Sequence, residues 1–476
     1  MPTRGATRQV ASRAASAGHA TPIAAPQGIH GGKDVNAVAA TTIRPGELAS
    51  GHRQATYREL FAIREFRLLF AAKTQSDFGD CLARVALTFL VYTRSHSPVL
   101  SAAAYAVTYF PWVLGPLLAV VADRSPRRTV LVTCDLARAA LYGSLAVPVL
   151  PAPAMIAIAL LAGFFSVPFE ASRAALMPDV LADDRYLLAS GLTAATNQVS
   201  RLAGFALGGV IVAAADPVGA IVIDAATFLI SAALIRSGVR HRPGPVAPGA
   251  DAPRTGLRAV AADTRSGIGY VFSQPTLRIY LALMWSSCLF VYSYQGQVAT
   301  LVQDLHGGAR LGGVLLAAAP TGLAIGAIVL TRLIPPARRL DLVLPLAFVA
   351  CGVQTLLWTR PGSLSVAAVF FVVGLTGVYS SILNPLFVKA ADPAFRGRAM
   401  GVAVAGINLA QGAAVLIAAV GAHCLGTVNA LGWCGLCGAC VPVLILPRWP
   451  RRPRQRRRHP AGRGPGLSSG CRADRE

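Results

Sequence analysis

Twelve apolar runs, each near the length a helix needs to cross a bilayer, constrain this chain more than any other feature. They fall near 67–93, 99–122, 129–149, 153–177, 187–214 and 217–236, then near 276–302, 311–334, 341–359, 363–389, 397–421 and 425–446. About 20 apolar residues suffice for one crossing. Backbone polar groups in hydrocarbon must be satisfied within the chain, which a helix does by itself. The expected fold is an all-α membrane protein of twelve transmembrane helices in two six-helix, pseudo-symmetric halves.

Composition agrees with bilayer as the solvent. Of the 476 residues, 54% are hydrophobic and only 14% charged, and mean hydropathy is +0.54. Soluble domains carry about 25% charged residues. The formal net charge of +23 does not mark a nucleic-acid binder, because the basic residues sit in two tails and in short loops. Nearly all are Arg; Lys occurs only at Lys33, Lys73 and Lys389. Cys434, Cys437 and Cys440 lie in the last apolar run with no acid beside them, and small residues at that spacing read as close-packing positions. The eight His include none paired within a run. An intramembrane enzyme, a metal site and a cofactor are therefore not expected.

The runs divide the chain. Residues 1–60 form an Arg-rich, Pro-rich tail without an apolar core, expected to be disordered and cytoplasmic. Residues 61–236 and 276–446 hold six runs each. Between them, 237–275 is a polar central loop, and 447–476 is a basic tail that reads as a topological stop. Basic residues mark the cytoplasmic side of short loops. Arg124, Arg127, Arg128, Arg185, Arg332, Arg338, Arg339, Arg396 and Arg398 follow even-numbered runs, whereas the odd-numbered ones are followed by little beyond Arg94, Arg310 and Arg360. Both termini are thus expected in the cytoplasm of a multi-pass inner (plasma) membrane protein, expected to be a monomer. A faint repeat supports two halves: Arg185 and Asn197 open run five at the same spacing as Arg396 and Asn408 open run eleven.

The loop after run two reads Ala122-Asp-Arg-Ser-Pro-Arg-Arg-Thr-Val-Leu131. It resembles the signature loop of the major facilitator superfamily, matching at Asp123, Arg124, Arg127, Arg128 and Leu131, with Pro126 where the family has Gly. Phe66-Arg-Leu-Leu-Phe70, Ser76-Asp-Phe-Gly-Asp80, Leu176-Met-Pro-Asp179 and Arg396-Gly-Arg398 resemble its drug:proton antiporter branch, which includes siderophore exporters and macrolide efflux proteins. That resemblance implies a proton-coupled exporter of amphipathic small molecules working by alternating access. Uptake or lipid flipping by the same fold, or a transport-dead scaffold, are the other readings.

Charged side chains at membrane depth are functional candidates by default. Asp77 and Asp80 lie near the middle of run one, with Arg84 one turn beyond Asp80. Asp80–Arg84 is expected to pair and Asp77 to lack an in-helix partner. These three, with Asp135 and its i+3 neighbour Arg138, and Asp224, are candidates for coupling to a proton. Asp123 is expected to form a cytoplasmic gate with Arg173 and the Arg398 end of run eleven, alongside Arg124, Arg127 and Arg128. Arg201, Asn197, Gln198, Gln295 and Gln297 are candidates for the substrate cavity. The expected partners are a small-molecule substrate, a proton and membrane lipid, with no nucleic acid.

Overall fold

The structure, a computed structural model, describes residues 56–115, 117, 118, 125–181, 183–242 and 257–449. Most of both expected tails lies outside these residues, as do Asp123 and Arg124. Among the described residues all regular structure is helical, and each apolar run becomes a helical segment.

The first six are α1 (Arg64–Ser95), α2, α3 (Arg127–Ser144), α4 (Ala152–Val180), α5 and α6. Helix α2 runs Pro98–Ala106, tightens into a 3-10 turn at Val107–Tyr109 and continues as Phe110–Val113. Helices α5 (183–215) and α6 (217–238) are the two arms of Asp183–Gly238, which folds back at Asp216 (φ 56, ψ 172). The Asp216 carboxylate accepts the Val218 and Gly219 N–H groups at 2.6 and 3.1 Å, capping α6, and Pro217 needs no partner at that position. The last six are α7 (Pro275–Asp304), α8 (Ala309–Leu333), α9 (Val343–Thr359), α10 (Ser363–Ala390), α11 (Arg396–Leu425) and α12 (Thr427–Ile445).

Seven stretches are long and apolar enough to cross a membrane by length and composition alone, the α5–α6 arms counting as one. Helices α1 and α3 miss that mark because they carry more charged residues, and α2 and α9 because their described helical stretches are too short. Large apolar side chains such as Leu229, Ile230, Ile328, Val443 and Leu444 stand exposed on the outer surface, as a lipid-facing belt requires.

The break between the two sets is not all loop. Leu257–Ser273 is a helix that packs against the start of α11, where Asp263 holds Arg398 at 2.8 Å. Tyr270 stacks on Phe395, ring centroids 4.6 Å apart.

The two sets of helices meet at one end. Near the α1–α2 turn and the α7–α8 turn, the Tyr92 hydroxyl donates to Gln303 Oε1 at 2.8 Å. Gly209 of α5 lies against Gly313 of α8, and Ala102 of α2 against Gly296 of α7. At mid-depth Tyr109 donates to Gln295 Oε1 at 2.9 Å, so the 3-10 turns of α2 and α7 are bonded to each other. Towards the end that bears the basic loops, no hydrogen bond or ion pair among the described residues joins the first six helices to the last six.

Candidate functional site: a charged cavity between the two helix sets

A cavity of about 620 Å³ occupies the space left by that one-sided closure. Helix α1 gives it Lys73, Asp77, Asp80, Cys81 and Arg84, residues spaced to share one face. Helix α2 adds Tyr109 and Trp112, α3 Arg138, α4 Ser166 and Glu170, and α5 Ala194, Asn197, Gln198 and Arg201. From the other set come Asn408 and Gln411 of α11. Asn197 and Asn408, the two residues of the faint repeat, thus stand on opposite walls.

The charges fall into three groups. In the first, Lys73 bonds to Asp77 one turn on and to Glu170 of α4 at 2.8 Å. Glu170 also accepts from Arg173 at 2.9 Å. With its amide oriented nitrogen-first toward the carboxylate, Asn197 donates to Asp77 Oδ2 at 2.7 Å and to the Thr193 carbonyl at 3.2 Å. Two cations and two anions balance, tying α1, α4 and α5 together.

The second group lies behind the cavity wall. Arg138 and Asp135 pair within α3, both almost wholly buried. The guanidinium sits over the rings of Phe169 and Phe228, 4.6 and 4.3 Å from their centroids, a favourable place for a cation. Asp224 of α6 is fully buried. Its Oδ1 accepts from the Thr227 hydroxyl at 3.3 Å, and its Oδ2 has no partner, nor do Asp135 Oδ2 and Arg138 Nε. Asp224 reaches this position because α1 has Gly79 there: a Cβ would stand 2.3 Å from Asp224 Oδ1.

The third group is Arg84 and Arg201. The Arg84 guanidinium carbon is 5.7 Å from the centre of the Tyr109 ring, and Arg201 interacts through space with Arg84, Tyr109 and Tyr292. Neither side chain forms an ion pair or hydrogen bond among the described residues. Arg201 also lines a smaller cavity of about 40 Å³ with Gln198, Tyr292, Tyr294 and Gln295.

Asp80 stands where the three groups meet. It interacts electrostatically with Asp77, Arg84, Arg138 and Asp224, yet makes no ion pair of its own among the described residues.

Two expectations are corrected. Asp80 and Arg84 do not pair, because Arg84 turns across to the Tyr109 ring of α2. Asp77 does not lack an in-helix partner, because Lys73 precedes it by four residues. Asp77, Asp80, Arg84, Asn197, Gln198 and Arg201 do line one cavity, with Asp135 and Asp224 behind it and Gln295 in the adjoining space. Gln297 is elsewhere: it is fully buried and its amide donates to the Val415 carbonyl at 3.5 Å. At the basic end, Arg127 bonds to Asp179 and to the Ala175 carbonyl, and Arg128 to the Arg236 carbonyl. Arg173 and Arg398, the expected partners of Asp123, are held by Glu170 and Asp263. Lys73, Tyr109, Trp112, Gln411 and Tyr292 were not singled out from sequence; only Lys73 had a readable signal, its spacing from Asp77.

The profile of the Major Facilitator Superfamily matches residues 76–415. A Bacillus subtilis (strain 168) protein, "Uncharacterized MFS-type transporter YkuC", is 27% identical over 224 residues. That match spans 46% of this chain and 52% of the relative, about half the length of each. Among solved structures, a POT family transporter in complex with a thioalcohol-conjugated peptide superposes with a TM-score of 0.62 at 13% identity, covering 81% of this chain and 96% of that one. The nucleoside transporter NupG gives 0.59 at 15% identity, covering 80% and 98%. At these identities the structures speak to fold alone.

Proposed function

The chain belongs to the Major Facilitator Superfamily, and we propose that it is a proton-coupled secondary transporter that exports an amphipathic small molecule by alternating access. The observation that supports this most is the cavity: about 620 Å³, charged, between two helix sets whose hydrogen bonds to each other, among the described residues, lie at mid-depth and at the end away from the basic loops. A site reachable from one side at a time is what alternating access requires. The excess of basic residues in the loops at the open end supports a cytoplasmic opening, where an exporter takes up its load.

The proton is carried among Asp80, Asp135 and Asp224, which share Arg138 as their common cation. Three carboxyls facing one guanidinium at low dielectric favour holding a proton over a third negative charge. Asp80, on the cavity wall, gives that group access to water. In inverted vesicles with an imposed pH gradient, Asp80→Asn and Asp224→Asn are expected to cut gradient-driven transport about tenfold, the effect of losing ~1.4 kcal/mol of coupling. Substrate exchange without a gradient should persist. If Asp77→Asn has that effect while both other variants keep the wild-type rate, the proton is carried in the Lys73 group instead.

Orientation has its own test. On a cysteine-free background, a membrane-impermeant maleimide added to intact cells should label Gly307→Cys and Gly362→Cys but not Pro126→Cys. Labelling at 126 would turn the protein over in the membrane, and the cavity would open outward.

A further inference from the structure

We propose that the closed end of the cavity is an anion site, where a carboxylate, sulfonate or phosphate of the transported solute is held between Arg84 and Arg201. This rests on the transporter reading and names the substrate class that reading leaves open.

The charge balance of the lining points there. Lys73 is matched by Asp77 and Glu170, and Arg138 by Asp135. Arg84 and Arg201 are matched by nothing in contact with them, and each acts on the other through space. Two unpaired guanidiniums at membrane depth repel each other and are costly to keep. A negative group placed between them converts that repulsion into two attractions. Asp80 does not fill the role: it is not in contact with Arg84, and its field is shared with Arg138 and Asp224.

The neighbouring groups add donors. Tyr294 is fully buried with its hydroxyl unpartnered, and it lines the small cavity that Arg201 also lines. The Gln198 amide borders both cavities. Arg is suited to this task because its planar fork can bind a carboxylate or phosphate through two parallel bonds. The rings of Tyr109, Trp112 and Tyr292 supply flat surface for an apolar body, and the cavity volume suits a solute of drug size. An organic anion fits this lining; an organic cation of the same shape meets two unpaired positive charges.

The test uses the purified full chain in nanodiscs of zwitterionic lipid, with naphthoate and naphthylmethylamine as probes alike in ring and opposite in charge. Binding is read by Trp fluorescence and by the shift in melting temperature. Naphthoate is expected to bind and the amine not to. Arg84→Gln and Arg201→Gln should each weaken naphthoate binding at least about tenfold, the loss of a charge-assisted pair. Equal binding of both probes to the wild-type chain would overturn the anion site whatever the variants do, and so would undiminished naphthoate binding by both variants. Competition by anionic lipid added to the nanodiscs would assign the site to a headgroup and overturn a soluble cargo. Cysteine accessibility of the cavity from the two membrane sides tests alternating access without any of these probes, so the transporter reading stands or falls separately.

Discussion

Lys73→Met is expected to destabilise the fold by about 3–5 kcal/mol, the usual consequence of removing one partner from a buried ion pair. The Lys73 side chain is 12% exposed and lies between Asp77 and Glu170, themselves 15% and 23% exposed. Without it, two carboxylates from different helices face each other with Arg173 as the remaining cation, and Arg173 already bonds to Glu170. Asn197 can offer Asp77 only a neutral donor. The measurement is the denaturant midpoint of the purified protein in detergent. Adding Asp77→Asn should recover more than half of the loss, because the orphaned charge is then gone while Glu170–Arg173 persists. The coupling between the two substitutions isolates the pair from other effects of shortening Lys73. A loss below about 0.5 kcal/mol would mean that water in the cavity solvates both acids and that the group holds no helices together.

The helices were legible because hydrocarbon leaves little choice. A long apolar run that must satisfy its own backbone becomes a helix, so the twelve runs and the twelve segments agree closely. What sequence did not give were the interruptions. The 3-10 turns at Val107–Tyr109 and Ser293–Gln297 come with no Gly-Pro signal that would distinguish them from the many other small residues nearby. They arise where the two helix sets bond to each other. Tertiary contact likewise decided the charges. The Asp80–Arg84 spacing permits a pair, but a ring on α2 competes for the guanidinium, and no single-helix argument sees that ring. Asp224 beside Gly79 is a contact across about 145 residues of chain, which no local pattern encodes. Lys73–Asp77 is the opposite case, a local i, i+4 pair that was there to be read.

Direction of transport is where the two proposals meet. Asp80 acts on Arg84 through space, so neutralising Asp80 makes the Arg84–Arg201 end more positive. A proton on Asp80 therefore favours an anion there, and linkage makes the preference mutual. Proton and anion would then load together, which suits uptake. Export in exchange for protons instead places the proton on Asp135 or Asp224, behind Arg138, where it competes for the cation that balances the wall. Because Asp80→Asn and Asp224→Asn are both expected to lose gradient-driven transport, the direction in which an imposed pH gradient drives the wild-type protein separates the two.

Gly209→Leu is expected to stop transport while leaving the protein folded, because it opens the end of the cavity that is closed here. A Cβ at Gly209 would stand 2.5 Å from the Ala309 carbonyl oxygen, 2.7 Å from the Gly313 Cα and 2.8 Å from the Gly313 nitrogen. All three are backbone atoms of α8, so no rotamer change can make room; α5 and α8 must move apart. Small residues at such a crossing let two backbones approach closely. The proposed alternating access, however, includes a state in which these helices separate, and the substitution favours that state. A bias of about 3 kcal/mol shifts the two populations by roughly a hundredfold. In cells carrying Ser166→Cys on a cysteine-free background, an impermeant maleimide should therefore reach the cavity from the α1–α2 side far faster in Gly209→Leu than in its parent. Gly209→Ala should lie between the two, since its methyl asks for a smaller separation. Unchanged labelling with transport intact would mean that α5 and α8 part without opening the cavity, and that this crossing is not the gate on the α1–α2 side.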